Sequence, residues 1–330
     1  MAVAVDHEKA LKELDALVAE TYQLWDEEWV GFSWRNYTYD HVARVRALAR
    51  TIGAREGGDD LVIRYGATLH DITKSFDGEI LMTPEGKRVT DENGLWLNDY
   101  LPPARSNKLT ALYDKLDLHR TVHSKSGAAV ANALLEEYGL SPAVRQHVQE
   151  VIHTHLMPGP DSSVEGKALY DADTIDANIG LPAFYRNIRI STHRQEDQFA
   201  AKGEDLGAWL EANRDEHLRT YLRDRVRTWN EGKRNDFIPK LTLESSKEIA
   251  SGRVDRLNVL LDQLDQELAD PEAALKNGAL AIVWRFINNR RNPSLARELM
   301  ELELVHCHGP EKSAAAQLVA DIRSEAAGER

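Results

Sequence analysis

The chain has 330 residues, of which 42% are hydrophobic and 29% are charged, as in an ordinary soluble globular protein. Its 41 basic and 54 acidic residues give a net charge of −13, which argues against broad nucleic-acid binding and against attachment to anionic lipid. A single cysteine, Cys307, excludes an internal disulfide framework. No run approaches the roughly 20 apolar residues of a membrane span, and residues 1–10 lack the apolar core of a secretory signal. We therefore expect a cytoplasmic protein.

Helical periodicity dominates the first half of the chain. Between Val42 and Ile52 the apolar residues recur at steps of three and four, as on one face of a helix. Leu61–Leu69 is a second apolar helix. Ser141 is an N-cap followed by proline at the first helical position, and Gly139 closes the preceding helix, Ala128–Tyr138. These segments predict helices separated by short connections.

Residues 76–108 interrupt this pattern with many turn formers. Ile80–Met82 and Arg88–Thr90 flank the turn Pro84–Gly86, which predicts a small hairpin. Long segments without helices are often lids or binding loops. A surface excursion without a functional role is the alternative interpretation.

The second half of the chain is also amphipathic and helical. The predicted helical segments are Asp205–Arg214, Glu216–Trp229, Ser246–Leu268 and Ala273–Asn289. Strand-like alternation is nearly absent, so we expect an all-α fold. We divide the chain into an N-terminal helix or extension (1–19), a helical domain (20–200) and a C-terminal helical region (201–330). The Ala- and charge-rich tail after about residue 312 is expected to be a frayed helix or disordered.

Histidine and aspartate residues occur at the predicted helix ends. In chain order they are His41, His70, Asp71, His123, His153, His155 and Asp173. Imidazole and carboxylate ligands together suit Mn, Fe, Co, Ni or Zn, and facing helices can project such ligands inward. Asp71 has two oxygens and could bridge a second metal.

The order of these residues resembles the HD domain of metal-dependent phosphohydrolases. Residues 40–45 (DHVARV) look like the family's opening D-H-x-x-R-V, and residues 67–74 (ATLHDITK) look like its A-x-L-H-D-I-x-K. Residues 171–177, with Gly180 and Arg186, resemble a D-A-D motif and trailing arginine of a bacterial branch that contains nucleotide pyrophosphohydrolases. The resemblance runs from about Tyr37 to Leu268, with gaps, and implies that residues 20–200 form an HD-type helical bundle.

The resemblance also implies a set of metal ligands. The first metal would be bound by His41, His70, Asp71 and Asp173. In dinuclear members a second metal would be bound at the positions of His123 and His153, where His155 could replace His153 or contact a phosphate. In mononuclear members the same positions hydrogen-bond the substrate, and the sequence leaves both arrangements open. The cofactor would be Mn, Fe, Ni or Co, with one or two ions per chain.

The activity implied by the resemblance is hydrolysis of a nucleotide or small phosphate ester by metal-activated water. Asp71 would orient the nucleophile, Lys74 would bind the substrate and offset charge on phosphate oxygens, and His123 or His153 would protonate the leaving oxygen. Lys125, His155 and Arg186 would contact the substrate. Neither a nucleic-acid polymer nor a membrane is an expected partner, and a homo-oligomer is compatible with the sequence.

Two other functions use the same residues. In part of the superfamily a di-iron site activates O₂, which here would require His41, His70, Asp71, His123, His153 and Asp173. The second alternative is a non-catalytic regulatory protein in which the metal site is structural.

Overall fold

The computed structural model describes residues 5–30, 33–307 and 313–330 and confirms the predicted all-α class. The chain divides into two compact units, Met1–Asp173 and Thr174–Arg330. Within the described ranges, no helix combines the length and the apolar character that crossing a bilayer requires.

The first unit contains the helices that carry the candidate ligands. These helices are α1 (His7–Thr21), α2 (Arg35–Glu56), α3 (Asp60–Leu69), α4 (Lys108–Lys115), α5 (His123–Glu137), α6 (Pro142–Thr154) and α7 (Val164–Asn178), the last of which continues into the second unit. A short antiparallel pair, β1 (Trp29–Val30) and β2 (Ser33–Trp34), precedes α2. In α2, α3 and α5 the apolar stripes are fully buried, which is why these helices pack together.

The predicted C-terminal end of α5 and the predicted start of α6 agree with the structure, although α5 begins at His123 and not at Ala128. The Ser141 hydroxyl accepts a hydrogen bond from the Val144 amide, as an N-cap should, and a proline follows it. Gly139 has a φ of 76°, a conformation that glycine adopts without steric cost. Helix α2 begins at Arg35, six residues before His41, so this histidine lies in the second turn rather than at the helix start.

The insertion at residues 76–108 forms a twisted antiparallel ribbon. Strand β3 (Asp77–Ile80) pairs with β4 (Asn98–Tyr100), and Leu101 donates a backbone hydrogen bond to Phe76. The predicted hairpin is confirmed, because Met82 and Arg88 form an antiparallel bridge across the Pro84–Gly86 turn.

The second unit is helical throughout its described residues, apart from the connecting turns. Its helices are α8 (Leu181–Lys202), α9 (Leu206–Ala212), α10 (Arg214–Thr220), α11 (Arg227–Asp236), α12 (Glu244–Glu267), α13 (Pro271–Asn277), α14 (Ala279–Asn288), α15 (Leu295–His306) and α16 (Ala314–Ala326). A π-helical segment, Tyr221–Val226, joins α10 to α11. The predicted helix Ala273–Asn289 is broken at Gly278, because the Glu267 carboxylate accepts the backbone N–H groups of Ala279 and Leu280 and so caps α14.

The C-terminal tail is packed rather than frayed. Helix α16 buries Leu318, Val319 and Ile322 within the second unit, so the expectation of a frayed or disordered tail is wrong for residues 314–326. Its Glu325 side chain is also buried and accepts hydrogen bonds from the Leu181 amide at 2.7 Å and from Arg256 Nε at 2.8 Å. A buried carboxylate therefore ties the last helix to the start of α8.

We predict that Glu325→Ala lowers the free energy of unfolding by about 3–5 kcal/mol, because it leaves the Leu181 amide and the buried Arg253 without their carboxylate. The measurement is urea denaturation followed by far-ultraviolet circular dichroism. Glu211→Ala, on the exposed side of α9, is the matched control and should change stability by less than about 0.5 kcal/mol. Equal stability of the two variants would contradict the assignment.

Candidate metal centre

Five elements of the first unit deliver the candidate ligands to one place. His41 comes from α2, His70 and Asp71 follow α3 directly, and His123 is the first residue of α5. His155 follows the end of α6, and Asp173 lies on α7. Because most of these residues sit at helix ends, their side chains can converge without the helices having to face one another.

The end of α3 explains how two adjacent residues reach the same site. Helix α3 ends at Leu69, and the His70 Nδ1 contacts the carbonyl oxygen of Ala67 at 2.8 Å. The carbonyl oxygen of Asp71 accepts a hydrogen bond from the buried Tyr22 hydroxyl at 2.8 Å. His70 and Asp71 are 0% and 1% exposed, so the backbone holds both side chains in a dry interior.

One candidate metal group contains His41, His70 and Asp71, whose ligand atoms lie within 4.8 Å of one another. His70 Nε2 is 3.7 Å from Asp71 Oδ2. Asp173 adjoins this group, because its Oδ1 lies 2.8 Å from His41 Nε2. Burial opposes ionisation of Asp173, but the hydrogen bond with His41 and the nearby charges of His41, Lys74 and His70 together outweigh it, and the pKa of the carboxyl lies below its usual range. The four residues predicted for the first metal are therefore together.

The second candidate group contains Asp71, His123 and His155. The Nε2 atoms of His123 and His155 lie 3.5 Å and 3.8 Å from Asp71 Oδ1. The other oxygen, Oδ2, is the one nearest His70. Asp71 thus directs one oxygen toward each histidine group, which is the arrangement of a carboxylate that bridges two ions.

The tautomers of the histidines leave lone pairs for a metal. A backbone carbonyl can only accept, so the Nδ1 atoms of His70 and His155, at 2.8 Å and 2.6 Å from such carbonyls, carry the hydrogen. Their Nε2 atoms then present lone pairs. Burial lowers the pKa of both rings, to about 3 for His155, which keeps them in the neutral form that binds metals.

Buried polar atoms without partners mark the same position. Among the described residues, no hydrogen-bond partner is available to the Nε2 atoms of His70, His123 and His155 or to Asp71 Oδ1. Unpaired buried polar atoms are costly, and here the three nitrogens lie 3.5–3.8 Å from oxygens of the Asp71 carboxylate. A cation supplies what they lack, so these residues fit a divalent metal, and the mixed nitrogen and oxygen donors suit a transition ion.

Lys74 is the cationic side chain at this centre. Its Nζ lies 3.0 Å from Asp71 Oδ2, and 34% of the side chain is exposed. Burial opposes ionisation of Asp71, but the charges of Lys74 and the histidines outweigh it and hold the pKa of the carboxyl well below its usual range. Burial opposes ionisation of Lys74, but the attractions of Asp71, Asp173 and Asp77 together exceed the effect of burial and raise the pKa of Lys74.

The structure corrects the prediction for His153. This side chain is exposed, whereas His155 is 0% exposed and faces Asp71. The buried stripe of α6 contains Val148, Val151 and Ile152, and a residue three or four positions further along lies on the same face. That position is 155, so helical periodicity could have selected the correct histidine from the sequence.

The general-acid role predicted for His123 or His153 also does not match the structure. His153 lies outside both candidate groups. His123 faces Asp77 with Nδ1, at 3.1 Å, and Asp71 with Nε2, at 3.5 Å. Both of its ring nitrogens are therefore directed at carboxylates, and a metal at Nε2 would leave neither for a leaving group.

The remaining predicted substrate contacts have other surroundings. Lys125 pairs with Asp91, at 3.0 Å, and with Glu92, both in the insertion. Arg186 belongs to the second unit, where its Nη1 lies 3.4 Å from the carbonyl oxygen of Ala177. Substrate contact by Lys125 or Arg186 stays a prediction, and the burial of His155 favours a ligand role over contact with phosphate.

Sequence reasoning missed Asp77. This residue contacts His123 across 46 positions of the chain, and no local motif relates the two. The only available signal was its place at the start of the insertion, six residues after Asp71.

One family model matches part of the chain. The family model of the HD domain matches residues 38–178, a range that contains all seven candidate ligand positions. A comparison with curated proteins gives no match.

Three solved structures show a weaker similarity to the chain. A predicted HD superfamily hydrolase from an uncultured Thermotogales bacterium is 19% identical over 78% of this chain and 92% of its own, with a TM-score of 0.42. YpgQ of Bacillus subtilis is 18% identical over 79% and 96%, with a TM-score of 0.37. An HD-superfamily hydrolase from Bacillus thuringiensis is 17% identical over 80% of this chain and 99% of its own, with a TM-score of 0.39.

Such similarity supports no inference about activity. The family-model match and the ligand order, however, agree over residues 38–178, the segment of the chain that is similar to the HD domain.

Proposed function

We propose that this protein is a dinuclear metal-dependent phosphohydrolase that acts on a small phosphorylated substrate, a nucleotide or another phosphate ester. The observation that carries the proposal is the position of Asp71. One of its oxygens faces the His70 group and the other faces His123 and His155. In two-metal hydrolases, paired ions about 3.5–4 Å apart stabilise the attacking and leaving oxygens of a displacement.

The proposed ligands are those of the two candidate groups. His41, His70 and Asp173 would bind one ion, His123 and His155 would bind the other, and Asp71 would bridge them. Mn, Fe, Ni or Co suits these donors. When bound, such ions polarise phosphoryl oxygens and lower the pKa of water toward about 7.

Lys74 supports a phosphate substrate over an uncharged one. Its ammonium lies beside the metal ligands, at 3.0 Å from Asp71 Oδ2, and part of the side chain reaches solvent. An anionic phosphate that approaches the centre would therefore meet a cation as well as the ions. Positive charge placed before the reaction stabilises the negative charge that develops on the equatorial oxygens.

We predict that His155→Ala lowers the metal content of Mn²⁺-loaded protein from about two ions per chain to about one, because it removes a ligand of the second ion. His153→Ala is the matched control, since it removes an exposed imidazole two residues away. Elemental analysis of desalted protein measures the content. If the His153 variant loses an ion and the His155 variant keeps both, the ligand assignment is wrong.

We predict that Lys74→Met lowers kcat/KM for phosphate release by about 10²–10³-fold without loss of metal, because it removes one preorganised cation. Lys115→Met, on the exposed surface of α4, should leave the rate unchanged.

The assay is release of phosphate or pyrophosphate from a panel of nucleotides and phosphate esters. Wild-type protein with two metals that hydrolyses none of them, or iron-loaded protein that consumes O₂ with a substrate instead, would overturn the proposed function.

A further inference from the structure

The imidazole of His123 is held by a different kind of group from those that hold His70 and His155, the two histidines that follow helix ends. His70 and His155 direct Nδ1 at backbone carbonyls of their own helices. His123 directs Nδ1 at a carboxylate, Asp77 Oδ2, at 3.1 Å. Either acceptor orients the imidazole and makes its other nitrogen a stronger metal ligand, and an anionic carboxylate does so more strongly than a neutral carbonyl.

The insertion holds Asp77 in place. Asp77 is the first residue of β3 and pairs with Tyr100 of β4. The preceding residue, Phe76, is buried and stacks on Tyr113 with ring centroids 3.8 Å apart. The carboxylate therefore extends from a backbone that is fixed by strand pairing on one side and by aromatic packing on the other.

Further contacts tie the insertion to the start of α5. Arg120, in the turn before His123, donates from Nε to Asp99 Oδ1 at 3.0 Å. Lys125, two residues after His123, pairs with Asp91. The Asp77–His123 contact thus lies between two other charged contacts that join the same two segments.

The hydrogen on His123 decides whether a metal can bind beside Asp71. With Nδ1–H donated to Asp77, Nε2 presents a lone pair toward Asp71 Oδ1, 3.5 Å away. Without an acceptor at Nδ1, the ring can adopt the other tautomer and donate Nε2–H to Asp71. That hydrogen bond would occupy two of the three ligand atoms of the second ion.

We propose that Asp77 is a positioning residue for the second metal ion, which it favours by holding the tautomer and the orientation of His123. This inference rests on the proposed dinuclear function. It gives the insertion a role at the metal centre, because the insertion begins with the residue that orients one of the ligands.

The test is titration of metal-free, full-length protein with Mn²⁺, followed by electron paramagnetic resonance. We expect Asp77→Leu and Asp77→Ala, neither of which offers an acceptor to His123 Nδ1, to weaken binding of the second Mn²⁺ by about 10–100-fold and to reduce the signal of the spin-coupled ion pair in proportion. Binding of the first ion should stay within about threefold of the wild-type value. Glu79→Gln, an exposed carboxylate on the same strand, is the matched control and should leave both ions unaffected.

The possible outcomes separate this inference from the proposed function. If the wild type binds two ions and both Asp77 variants bind the second one normally, Asp77 has no positioning role, although the dinuclear centre stands. Loss of both ions together in the variants would also overturn the inference, because Asp77 would then support the whole pocket. If the wild type binds a single ion, the dinuclear function itself fails. Asp77→Leu keeps the branched outline of the side chain without an acceptor, so it decides the question if Asp77→Ala does not fold.

Discussion

The centre depends on one buried carboxylate whose two oxygens face different groups. Asp71 is 1% exposed, and burying an unpaired carboxylate costs several kcal/mol. Lys74 offsets part of that cost at Oδ2, while Oδ1 has no hydrogen-bond partner among the described residues and faces His123 and His155. Without a cation the cluster therefore lacks electrostatic compensation on one side. A divalent cation bound between these side chains would supply the missing positive charge.

Helix ends, rather than helix faces, build most of the centre. The last carbonyl groups of a helix have no intrahelical partner. His70 and His155 both use this property, because each follows the end of its helix and directs Nδ1 at the carbonyl three residues earlier. The same local geometry thus fixes two tautomers at two separate helices. His123 stands at a helix start, where carbonyls are not available, and a carboxylate from the insertion takes their place. Histidines that follow the end of a helix are therefore oriented by backbone carbonyls, and the histidine at the start of a helix is oriented by a carboxylate.

Local sequence predicts those parts of the protein that depend on local geometry. The sequence motifs around His70 and Asp71 indicate the first metal group. The capping residues indicate where α5 ends and where α6 begins. The choice between His153 and His155 was also predictable, since only position 155 continues the buried stripe of α6. The contact between Asp77 and His123 was not predictable, because strand pairing in the insertion creates it. The break at Gly278 likewise depends on a carboxylate from another helix, and helical periodicity does not report such contacts.

The most direct test of the account is anomalous X-ray diffraction from crystals of the full chain grown with Mn²⁺. The account predicts two anomalous peaks about 3.5–4 Å apart, one on each side of Asp71, with His155 and not His153 beside the second peak. A single peak, or two peaks that do not share Asp71 as a ligand, would contradict it.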